Sequence, residues 1–152
     1  EALPRLELDA DQIGLERNYR LGPGTRDLSD PSYIDARWSY QGARFRPFAP
    51  VNVAAMRKAS GEVEVVWVRR GREDDDFWRA GEVPLFEAEE RYRVRVWDGA
   101  ELLREAETGA PSFNWTTAMQ AADAASGPVR FSIAQISAVY GPGFDGEVTF
   151  DG

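Results

Sequence analysis

One six-residue run limits the fold more than any other part of the chain. In Arg91-Tyr92-Arg93-Val94-Arg95-Val96, apolar residues and arginines take strictly alternate places. A period of two belongs to an extended strand, because successive side chains there point to opposite faces. Tyr92, Val94 and Val96 therefore face inward and the three arginines outward. The same period places positions 63, 65 and 67 of Val63-Glu64-Val65-Val66-Trp67-Val68 on one face, and Val129, Phe131 and Ile133 of Val129–Gln135 on another. Glu147–Phe150 reads as a further short strand.

Turn chemistry separates these runs. Asp98-Gly99 tolerates positive φ at both positions and predicts a hairpin into a strand over Leu102–Ala106. Ser60-Gly61 precedes the Val63 strand, and Gly109-Ala110-Pro111 leads into a short strand at Ser112–Trp115. Gly141-Pro142-Gly143 joins the last two strands. Thr116–Ala125, rich in Ala with Met and Gln, suits one or two helical turns in a connection.

The segment Arg46-Pro47-Phe48-Ala49-Pro50 marks a boundary, since two prolines impose a stiff extended path that no central strand accepts. Residues 47–152 then hold about seven strands at the spacing of a β-sandwich. Residues 1–46 form a small β-rich segment with candidate strands at Arg5–Leu8, Leu15–Leu21 and Ala36–Gln41. That length is too short for a secure core of its own. The segment is expected to pack on the sandwich or to finish an upstream domain. The chain starts without an initiator Met or a signal-like apolar run, so it reads as a stretch of a longer polypeptide.

Composition narrows the chemistry. The chain has neither histidine nor cysteine. The usual base near neutral pH, thiol nucleophiles and thiolate metal sites are all excluded, and no catalytic residue, metal or cofactor is expected. The net charge of −8 disfavours nucleic acid, whose phosphates need basic patches. No window approaches the roughly 20 apolar residues of a membrane-spanning helix.

Several groups are candidates for binding. Arg91, Arg93 and Arg95 line one strand face about 7 Å apart and suit an acidic saccharide or a partner's carboxylates. The competing reading pairs them with acids on neighbouring strands, such as Glu101 or Glu105. Trp97 shares their face and is the best candidate for stacking on a sugar; Trp38, Trp78 and Trp115 are others. The acidic loop with Asp74, Asp76 and Trp78, and the turn with Tyr140 and Phe144, lie outside the expected strands and carry aromatics. Gly141-Pro142-Gly143-Phe144-Asp145-Gly146 matches the letters of a dinucleotide fingerprint. A strand follows it rather than the helix that fingerprint needs, so it reads as a glycine-rich turn. Asn114-Trp115-Thr116 is a formal glycosylation sequon inside an expected strand.

The second segment resembles a fibronectin type III domain. Val63–Trp67 corresponds to the strand with the core tryptophan, Tyr92–Val96 to the third strand, and Val129–Ser137 with Gly141-Pro142-Gly143 to the sixth strand and its exit turn. It departs from the pattern at Val129, where a corner tyrosine is usual, and at Gln135, where a small apolar residue is expected. A narrower resemblance rests on Gly22–Leu28, Arg46–Val53, Val66–Arg70, Val83-Pro84-Leu85, Pro111-Ser112-Phe113 and Ala134–Ser137. In that order and spacing they resemble the C-terminal region of the tail-tip baseplate, or host-specificity, protein of gene transfer agents and siphophages.

That resemblance implies a non-catalytic structural or adhesion module. It also implies other tail and baseplate proteins as partners, a homotrimeric arrangement, and contact with a host surface polysaccharide or receptor. The place of action would be the tail of a virion-like particle, assembled in the bacterial cytoplasm and released. The alternative is a carbohydrate-binding module attached to an upstream hydrolase.

Overall fold

The alternating runs form strands in the computed structural model, which describes residues 8–71 and 85–152. In chain order the strands are β1 (Glu16–Leu21), β2 (Ile34–Ser39), β3 (Val51–Arg57), β4 (Val63–Val68), β5 (Tyr92–Asp98), β6 (Glu101–Thr108), β7 (Ser112–Trp115), β8 (Val129–Ser137), β9 (Gly141–Pro142) and β10 (Gly146–Phe150). One helix, α1 (Thr117–Asp123), lies between β7 and β8. The backbone groups into two compact units, Glu1–Phe45 and Arg46–Gly152.

In the first unit β1 and β2 form an antiparallel hairpin sheet, with Leu21 opposite Ile34 and Arg17 opposite Trp38. The second strand begins two residues earlier than the expected Ala36 and ends at Ser39 rather than Gln41. Two aspartate turns set that start. Asp27 and Asp30 each accept a backbone N–H and a hydroxyl from the serine two residues on, which returns the chain to Ile34. The expected strand at Arg5–Leu8 lies outside the described residues but for Leu8.

The second unit is a sandwich of two antiparallel sheets. One sheet runs β3-β4-β7; the other runs β10-β8-β5-β6, with β9 also on β8. Alternation delivers the core. Val63, Val65 and Trp67 from β4 meet Tyr92, Val94 and Val96 from β5, and Val129, Phe131 and Ile133 from β8. Trp67 packs edge-on to Tyr92 at 5.1 Å, and Trp115 edge-on to Phe131 at 5.6 Å. Each such side chain contributes about 1.5–3 kcal/mol on burial. The expected hairpin forms, but its turn is Gly99-Ala100, one residue later than expected: Asp98 stays in β5 opposite Glu101, and Gly99 alone takes positive φ, at +55. A bulge between Val51 and Ala54, with Asn52 at φ +52, breaks the rhythm of β3.

The two motifs that stood apart in the sequence are halves of one contact. A Cβ on Gly143 would lie 2.3 Å from the Pro47 carbonyl oxygen, and one on Gly146 would lie 2.3 Å from that of Pro50. The Phe144 N–H also donates to Pro47 O. These two glycines are required because the proline-stiffened entry strap presses backbone to backbone on the chain leading into β10 and on its first residue.

Candidate functional site

The outward face of the sheet β10-β8-β5-β6 collects four of the candidate residues. Arg91, Arg93, Arg95 and Trp97 point away from the core because their alternate neighbours point into it. On β8 the positions opposite Arg93 and Arg95 are Ala134 and Ser132. Both are small and buried, so the long side chains of β5 lie down across them. Register then brings acids from both flanks. Arg91 meets Glu107 at 2.6 Å and Glu89 at 3.2 Å. Arg95 meets Glu105 at 2.6 Å. Arg93 reaches Asp145 at 3.6 Å, and Arg130 on β8 pairs with Glu147 on β10.

Charge therefore runs in stripes: acidic β6, basic β5 with Arg130, acidic β10. The pairs shift their members in the expected sense. The Arg95 guanidinium holds the Glu105 carboxyl below its usual range, and Glu107 raises Arg91. Trp97 belongs to the same lattice. Its indole N–H donates to Ser132 Oγ at 3.0 Å, and the Arg130 guanidinium lies 5.1 Å from its ring centroid.

The other candidates lie elsewhere. Tyr140 and Phe144 belong to the connection after β8; Tyr140 is half-buried, and Phe144 is exposed. The Tyr140 N–H donates to Ser137 Oγ. Asp74, Asp76 and Trp78 lie outside the described residues. Trp115 is not a surface platform: it is buried in the core, because β7 turns it toward Phe131. Asn114 is half-buried, and its amide donates to Glu62. Among the described residues no group of three or more acidic side chains converges to hold a metal. No described helix is long and apolar enough to cross a membrane.

Sequence reading missed a second polar cluster. Asp123, at the end of α1, accepts two hydrogen bonds from Arg104 of β6, at 2.9 and 2.7 Å, and a third from the Trp115 indole at 2.7 Å. Its side chain is 4% exposed. It ties the connection between β7 and β8 to the opposite sheet. A third cluster closes the far end of the core. The Tyr92 hydroxyl donates to Glu90, which also pairs with Arg69. Burial and that carboxylate push the Tyr92 phenol above its usual range.

No family model matches the chain, and no curated protein matches it. Among solved structures it is similar to domains d3–d4 of the rat CD45 extracellular region, with 14% identity and a TM-score of 0.50 over 99% of this chain and 70% of that one. It also matches the FN5 domain of Drosophila Lar, at 15% identity and a TM-score of 0.37, over 70% of this chain and 98% of that one. At 14% identity the likeness to the CD45 domains is one of fold. With the three- and four-strand order above, it makes the second unit a fibronectin type III-like sandwich, preceded by a small β-rich unit.

Proposed function

We propose that the chain is a non-catalytic structural and docking module of a phage-like tail tip, in contact with neighbouring tail proteins or the host surface. The observation that carries the non-catalytic part is the use made of the polar side chains on the outer sheet face. Arg91, Arg93, Arg95 and Arg130 are each paired with a carboxylate from the same sheet or its flanks. A face so compensated supports a stiff building unit better than a cleft for acidic sugars, which needs free cations. The ordered motifs from Gly22 to Ser137 supply the tail-tip reading, and exposed Phe144 with neighbouring Tyr140 supplies a docking edge.

The test is antibody labelling. Antibody raised against the purified chain is applied to particles released by a bacterium that encodes it, and the label is located by electron microscopy. Gold confined to the tail tip supports the proposal; label absent from particles, or spread over heads, overturns it. Binding of the labelled chain to host cells with and without their capsule separates the two kinds of contact. Saturable binding lost with the capsule assigns glycan recognition, and no binding assigns a role within the tail.

A further inference from the structure

The hairpin of the first unit is sorted into two faces. Leu21 with Ile34, Tyr19 with Ala36, and Arg17 with Trp38 occupy one; Arg20 with Asp35, Asn18 with Arg37, and Glu16 with Ser39 occupy the other. Leu21, Ile34 and Trp38 are each more than half exposed. Among the described residues of this unit only Gly42 is buried. An isolated pair of strands is marginal in water, and among the described residues β2 pairs with β1 alone. Among the described residues its other edge has no backbone partner, and it offers its backbone groups to a further strand.

The sequence of β2 specifies what that strand can be. Ile34-Asp35-Ala36-Arg37-Trp38 is complementary to itself about Ala36. Laid antiparallel on a second copy with Ala36 opposite itself, Asp35 of each copy faces Arg37 of the other, and Ile34 of each faces Trp38 of the other. Centring on Asp35 or on Arg37 sets like charges opposite each other. A centre between residues sets the charged face of one copy against the apolar face of the other. The edge of β1 offers a poorer match, because centring on Asn18 puts Arg17 opposite Tyr19 on the apolar face. Arg37 makes no ion pair among the described residues. Asp35 meets only Arg20, at 3.1 Å, and its side chain is 75% exposed.

We propose that two copies of this chain join edge to edge through β2, antiparallel about a two-fold axis at Ala36. The product is a four-stranded sheet. On its charged face Arg20, Asp35 and the other copy's Arg37 alternate in sign along a row. On its apolar face each Ile34 packs on the other copy's Trp38, an aliphatic–aromatic cross-strand pair. The pairing is separate from the tail-tip reading and survives its failure.

Sedimentation of the full chain over a range of concentrations tests it. The expected result is a reversible monomer–dimer equilibrium. Arg37→Asp alone, or Asp35→Arg alone, sets like charges opposite each other at both symmetric positions. Each should weaken self-association by about tenfold or more, since roughly 1.4 kcal/mol is a factor of ten. An equimolar mixture of the two variants should restore the dimer, because the carboxylates of one face the guanidinium groups of the other. That recovery also shows both variants to be folded. A chain monomeric at every concentration, a trimer, variants that dimerise as the parent does, or a mixture that stays monomeric would each overturn the proposal.

Discussion

Asp123 is a polar side chain on which the fold depends. It is nearly fully buried and takes three hydrogen bonds, two of them from a guanidinium. Asp123→Ala leaves Arg104 and the Trp115 indole without their acceptor, a change that costs about 3 kcal/mol. The denaturant midpoint should drop accordingly, whereas Glu105→Ala, in an exposed pair, should leave it close to the parent. Acid sensitivity belongs to the same scale. Asp98 accepts the Ser126 N–H and hydroxyl, both at 2.8 Å, which hold its carboxyl below the usual range. A lowered folded pKa gives stability that is complete above the unfolded value, near pH 4, and is lost as pH falls through the folded one. Asp98→Asn should therefore flatten the acid limb of the stability curve below about pH 5, read by urea unfolding. Side-chain alternation made the inward residues legible in the sequence. The ion-pair partners were less so, because Arg95 finds Glu105 only through the register of a bulged hairpin. The Asp123 cluster was hidden altogether, since its members come from β6, β7 and α1.

Among the elements, β4, β5 and β8 were plain in the sequence because each buries one face completely. Strand β3 was least marked: its bulge at Asn52 interrupts the period. Strand β2 was displaced by two residues because its alternation continues past its end, while the turn at Asp30 fixes its start. The Gly141–Gly146 motif is no nucleotide loop, but it is more than a turn: Gly141–Pro142 pairs with β8 as β9, and Gly146 opens β10. The reason for Gly143 and Gly146 lay about 95 residues upstream, in Pro47 and Pro50. Gly146→Ala pushes a methyl group against the Pro50 carbonyl, a backbone atom with little room to yield. It should lower stability by about 2 kcal/mol, within the range for overpacking. Gly127→Ala, with nothing within 4 Å of the added carbon, is the control. Thermal unfolding of the two variants side by side reads the difference.

At the scale of the whole molecule, stability is unevenly shared. The sandwich owns the core, while the described hairpin owns almost no buried side chain. Amide exchange in dilute solution should be slowest at Val94, Val96, Phe131 and Ile133 and fastest along β1 and β2. Raising the concentration should then slow exchange in β2 before β1, as the edge of β2 away from β1 pairs with a second copy.

The course of β3 and β10 has a mechanical consequence. The start of β10 lies on the start of β3, with Gly146 against Pro50, and their ends meet where the Arg57 guanidinium lies 5.2 Å from the Phe150 ring centroid. The two strands run in the same direction, so the backbone enters this unit at one end and leaves it at the other. A pull along that line loads β3 against β4, and β10 against β8, in shear. Their hydrogen bonds must then fail together rather than one after another. Tension applied through residues 46 and 150 would be carried along the strands by a unit that resists stretching.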